Sequence, residues 1–90
     1  MNKYMLTQLS IDVINNPALS LQSKGLYMFL SHGHLPEPEV SREFIVQHSK
    51  TGKTSTTTSM RELMDNGYLK KIILRNQNKT VKCVLYKAVV

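Results

Sequence analysis

Six consecutive hydroxyl residues, Thr54, Ser55, Thr56, Thr57, Thr58 and Ser59, lie between Lys50 and Lys53 on one side and Arg61 on the other. Short hydroxyls accept and donate hydrogen bonds at close range, and the cations supply charge. Together they suit contact with phosphate oxygens and base edges rather than transformation of a substrate. Catalysis would need a nucleophile, a base and a group to orient it, and no such triplet can be assembled. Cys83 falls mid-strand and the carboxylates are of surface type, so no enzyme is expected. His32, His34 and Cys83 are a weak metal set, without a fourth ligand or a Cys-x-x-Cys pair, and neither metal nor cofactor is expected. Gly52-Lys53-Thr54 resembles the tail of a phosphate-binding loop. Gln47 stands where that loop requires glycine, which argues against an NTPase.

To present these side chains the segment must be helical. Met60 and Leu63 repeat at helical spacing and Gly67 stands where a residue of positive φ would end the helix, so the spacing predicts a helix over about 54–66. Thr56, Ser59, Met60 and Leu63 then share the inward side. Thr54, Ser55, Thr57, Thr58 and Arg61 are left outward as candidates for base-edge contact. Six hydroxyl residues cost a helix on the order of 2 to 4 kcal/mol against alanine, so this helix must be held by its surroundings. A Thr/Ser run on its own reads more readily as a solvated linker. The continuation through Met60, Leu63 and Met64 to Asn66-Gly67-Tyr68-Leu69 favours the helix.

The other elements follow from caps and periodicity. Tyr4-Met5-Leu6 reads as a short edge strand. Leu9, Ile11, Val13 and Ile14 mix the strand and helix periods, leaving that segment open between the two until Pro17 ends it. Ser20 caps a helix over about 21–32 whose apolar face is read as Leu21, Gly25, Met28 and Phe29 with Leu26 and Leu30, Gly25 marking close packing of another element. The loop of 32–39 carries two prolines. Ser41 caps a helix over about 41–49, with Glu43 in its first turn and Phe44, Ile45 and His48 inward. Two helices joined by about four residues containing Gly52 have the form of a helix-turn-helix. Tyr68 to Arg75 and Thr80 to Lys87 then read as two strands around the polar turn Asn76 to Lys79. The expected fold class is therefore α+β: a single domain over 1–90, a small winged helix-turn-helix of three helices with a C-terminal two-stranded hairpin as the wing, about 68–88.

Charge supports a polyanionic partner. The net charge of +6 is segregated: residues 1–41 hold two basic and three acidic side chains, and residues 42–90 hold ten basic and three acidic. Lysines present only for solubility explain the total and not this division. Lys50, Lys53, Lys70, Lys71, Arg75, Lys79 and Lys82 are the phosphate candidates, with Arg75 and Lys79 placed at the wing tip to enter a minor groove. Hydrophobic content of 41% is ordinary for a folded chain. No apolar run approaches membrane-spanning length, the start lacks a signal-peptide block, and one cysteine admits no internal disulfide, so a cytoplasmic protein without a membrane partner is expected.

The run Ala18 to Leu30 (Ala-Leu-Ser-Leu-Gln-Ser-Lys-Gly-Leu-Tyr-Met-Phe-Leu), followed by Val40-Ser41, Gly52-Lys53 and Arg61 to Leu69 (Arg-Glu-Leu-Met-Asp-Asn-Gly-Tyr-Leu), resembles the N-terminal winged-helix domains of plasmid replication initiators and phage replisome organisers of Gram-positive bacteria. The similarity spans roughly residues 4–75. What it implies is binding of double-stranded DNA in replication initiation or transcription control, frequently as a homodimer or higher oligomer, alongside other replication or regulatory proteins. The alternative of another class is a winged-helix interaction module or inhibitor docking on an acidic or nucleic-acid-handling protein. Single-stranded or RNA binding is disfavoured, because the chain has no Trp and its aromatics form no stacking array.

Overall fold

Helix α1 (Gln8–Asn15) starts at Thr7, whose Oγ1 accepts the Ser10 N–H at 3.1 Å, and it buries Ser10 and Val13. The computed structural model describes residues 7–33 and 35–90; the strand expected at Tyr4-Met5-Leu6 and the side chain of His34 lie outside them. Pro17 follows α1 in a turn in which the Asn16 side chain accepts the Ala18 N–H at 2.8 Å. The segment whose period was ambiguous is thus a helix. The α+β class holds, with four helices among the described residues where three were expected.

Helix α2 (Leu21–His32) is capped by Ser20 and buries Ser23, Leu26, Tyr27 and Leu30, an i, i+3, i+4, i+7 stripe. That stripe keeps Leu26 and Leu30 of the expected face, with Met28 and Phe29 half-buried against the core, and corrects Leu21 and Gly25. Leu21 is 85% exposed. Gly25 is also exposed, and a Cβ built on it would meet nothing within 4 Å, so no element packs against it. At 100° per residue both lie roughly opposite Ser23 and Tyr27.

Helix α3 (Arg42–Ser49) is capped by Ser41, whose Oγ accepts the Phe44 N–H at 3.1 Å. Of its three residues expected inward, Ile45 is buried, Phe44 is half-buried and His48 is exposed, its ring stacked on Phe44 at 4.1 Å. The His48 Nδ1 lies 2.9 Å from the Phe44 carbonyl one turn back, so the ring is held against its own helix.

Helix α4 (Lys53–Asp65) ends as the sequence requires. Gly67 takes φ +81°, its N–H donates to the Met64 carbonyl, and the Tyr68 N–H reaches back to Leu63 at 2.9 Å, which satisfies the last carbonyls of the helix. The chain then enters β1 (Leu69–Arg75), which pairs antiparallel with β2 (Val81–Ala88). Lys79 at φ +68° and a register shift at Leu74/Arg75 close the turn, which the Asn76 N–H and the Thr80 carbonyl join at 2.8 Å.

Directly opposed residues share a face of the hairpin. Leu69/Ala88 and the Tyr86 side of Lys71/Tyr86 are buried against the helices, and Ile73/Val84 continues that inner face. Val40 adds one bridge to Tyr86 on the far edge of β2. Val13, Leu26, Tyr27, Leu30, Ile45, Met60 and Leu63 form the centre of the core. The Tyr27 hydroxyl donates to the Val89 carbonyl at 2.5 Å, fastening the end of β2 to α2, and burial raises its pKa. Among the described residues no helix is long and apolar enough to cross a membrane.

Candidate nucleic-acid interface

The turn between α3 and α4 decides how α4 is presented. Lys50 adopts φ +60° and Gly52 φ +91°, so the chain reverses within three residues. A hydroxyl cluster then locks the corner: Thr56 Oγ1 donates to the Gly52 carbonyl at 2.7 Å and lies 2.6 Å from Ser49 Oγ. Gln22 Nε2 donates to Thr51 Oγ1 at 2.8 Å, holding the same turn to α2.

The buried face of α4 is Thr56, Ser59, Met60 and Leu63, the four residues the spacing assigned inward. Burying Met60 and Leu63 contributes about 3 to 6 kcal/mol, which offsets the helix-propensity cost of the hydroxyl run. Ser23 and Ser59 allow close approach of α2 and α4, the Ser23 hydroxyl reaching the Ser59 carbonyl at 3.4 Å.

Opposite that face Thr54, Ser55, Thr58 and Arg61 are exposed, while Thr57 is half-buried and so only partly available. Thr58 is further restricted. Its hydroxyl donates to the Thr54 carbonyl at 3.0 Å, leaving it lone pairs but no proton to offer a partner. Thr54, Ser55 and Arg61 make no side-chain hydrogen bond among the described residues, and they form the reactive part of the surface.

Two acids lie near this surface: Asp65, exposed one turn beyond Arg61 on the same side of α4, and Glu62, which is turned away from it. Its Oε1 accepts the Ser20 N–H at 2.6 Å. That backbone hydrogen bond, supported by the Ser23 hydroxyl, holds its carboxyl below the usual range. Ser20 thus caps α2 with its side chain and anchors α4 with its N–H.

All seven phosphate candidates are exposed: Lys50 and Lys53 at the start of α4, and Lys70, Lys71, Arg75, Lys79 and Lys82 on the hairpin. Gly52 offers no side-chain cap, so the first N–H groups of α4 are open to an anion beside Lys50 and Lys53. The strand register divides the hairpin cations. Lys71 and Lys82 line an open cavity of about 530 Å³ with Ser41, Arg42 and the carboxylate residue Glu43, whereas Lys70 lies opposite Lys87 on the outer face. The Arg75 guanidinium donates to the Lys79 carbonyl at 3.2 Å and folds across the tip, so one of its donors is already engaged. Arg42 and Lys87, which were not among the sequence candidates, lie beside these cations. The hairpin register that places Lys87 depends on the turn geometry at Lys79, which is not readable from residue types.

No group of three or more His, Cys, Asp or Glu side chains that could hold a metal occurs among the described residues. The chain matches no protein-family model, no curated protein and no solved structure.

Proposed function

We propose that this protein is a winged helix-turn-helix that binds double-stranded DNA and acts without catalysis or a cofactor. Helices α2, α3 and α4 are the three-helix unit, α4 is the recognition helix and β1–β2 the wing, with α1 an addition at the N-terminal side. The observation that carries the reading is the outer face of α4. It presents Thr54, Ser55 and Arg61 to solvent with Asp65 as its one outward acid a turn beyond Arg61, turns Glu62 away to Ser20, and is followed by a hairpin with no acidic residue. Hydroxyls and Arg61 supply base-edge contacts, and Lys50, Lys53 and the hairpin lysines neutralise phosphates.

The resemblance to plasmid and phage replication initiators makes replication initiation or transcriptional control in the cytoplasm the biological setting of this reading, with a homodimer and other replication proteins as its partners. A mobility-shift titration on random-sequence duplex at two salt concentrations tests the biochemical claim. Retention at low salt that weakens steeply as salt rises supports it, and absence of retention at low salt eliminates it.

A further inference from the structure

The hairpin has an open edge whose apolar residues the DNA reading does not use. Among the described residues β1 pairs with β2 alone, so its opposite edge has no strand partner. Along that edge the sequence runs Lys70-Lys71-Ile72-Ile73-Leu74-Arg75, an apolar triplet bracketed by cations. Ile73 and Leu74 are 43% and 42% exposed. On the outer face Ile72/Leu85 and Leu74/Cys83 make an apolar strip whose inner end is the directly opposed pair Lys70/Lys87. Like charges set opposite one another weaken a strand pair, and exposed apolar side chains on a free edge invite another strand.

The charges decide which strand. Residues 66–90 hold six Lys or Arg and no carboxylate. A second copy pairing along β1 would bring Lys70, Lys71 and Arg75 against their own kind. The first six residues of the chain offer Lys3 and no acid. Nearby acids are few: Glu39 borders the cavity shared by Lys70 and Lys87, and Glu43 the one shared by Lys71 and Lys82.

We propose that β1 accepts, as an added strand, an extended segment of another protein in which two or three aliphatic residues are flanked by carboxylates. Its main chain would bond the open edge of β1, its aliphatic residues would lie beside Ile72, Ile73 and Leu74, and its carboxylates beside Lys70, Lys71 and Arg75. The occupant shares Lys70, Lys71 and Arg75 with the phosphate candidates and uses the apolar edge and no residue of α4, so loss of the peptide and loss of the duplex are separately readable.

The test is a titration of the isotope-labelled full chain with a capped synthetic peptide, Glu-Val-Ile-Val-Glu-Glu, followed by amide NMR. Amide shifts concentrated in residues 70–75 are expected, with binding about tenfold weaker for the analogue carrying Gln in place of Glu. Leu74→Glu, at an exposed position, should weaken the peptide and leave duplex binding near its original strength. Leu74→Gln serves as the second variant if Leu74→Glu lowers the melting temperature. Arg61→Ala should leave the peptide unaffected while weakening duplex binding. Shifts absent from β1, equal binding of the Gln analogue, or a concentration-dependent dimer abolished by Leu74→Glu would each overturn the proposal.

Discussion

Thr56→Val probes the corner on which the presentation of α4 depends. The substitution keeps the β-branched shape in a fully buried site and deletes two short hydrogen bonds, to the Gly52 carbonyl at 2.7 Å and to Ser49 Oγ at 2.6 Å, with a longer one to Thr51 Oγ1 at 3.3 Å, which keeps its bond from Gln22. No former partner is left unsatisfied. The Gly52 carbonyl still accepts the Thr56 N–H at 3.1 Å, and Ser49 Oγ still reaches the Val46 carbonyl at 3.0 Å. Each short bond lost costs about 0.5 to 1.5 kcal/mol and the extra buried methyl returns about 0.8 kcal/mol, which leaves a net loss of about 1 kcal/mol. For a domain of this size that lowers the melting temperature by about 4 to 8 °C. Thermal unfolding of Thr56→Val, Ser49→Ala and the double variant measures the effect and its coupling. The coupling should be near 1 kcal/mol if the two hydroxyls act together. A single variant as stable as the parent, with additive behaviour in the double, would refute the claim that this cluster locks the turn.

Other consequences can be checked independently. Arg61→Ala should weaken specific duplex binding by about 1 to 3 kcal/mol if the guanidinium reads a base, and an unchanged footprint would remove Arg61 from the interface. Gly67→Val meets no steric obstacle but must hold φ near +81°, so a loss of about 1 to 2 kcal/mol is expected from backbone conformation alone, and an unaltered melt would argue against the cap. Glu62 has its pKa lowered in the folded state, chiefly by the Ser20 N–H, so its stabilising effect is present above the ordinary carboxylate pKa and is lost as pH falls through the lowered value. Glu62→Gln should flatten that acid limb of the stability curve, and an identical acid limb in both proteins would show that the contact contributes nothing.

Most of the fold could be read from punctuation in the chain. Ser20, Ser41 and Gly67 announce helix ends whose geometry depends on local chemistry, and each takes that role within a residue of the expected boundary. The inward face of α4 was legible because Met60 and Leu63 fix its phase. On α2 the same reasoning held for Leu26 and Leu30 but not for Leu21 and Gly25, whose phase the buried Ser23 and Tyr27 contradict, since a small polar residue at a helix–helix contact carries no hydrophobic signal. Helix α1 was ambiguous by period, although Thr7 ahead of it was a capping signal. At the candidate site, exposure followed from spacing, but availability did not. The engagement of Thr58 by Thr54, of Arg75 by Lys79 and of Glu62 by Ser20 depends on rotamers and on a partner 42 residues away in the last case.

The central claim is that the outer face of α4 and the cationic hairpin together meet a DNA duplex. Titrating the isotope-labelled chain with a short duplex and following amide shifts tests it residue by residue. The account predicts shifts at Lys53, Thr54, Ser55, Thr58 and Arg61 and on the hairpin, with affinity falling at a log–log salt slope near −5 for about six phosphates. Shifts confined to α1 and the exposed side of α2, or none at low salt, would contradict it.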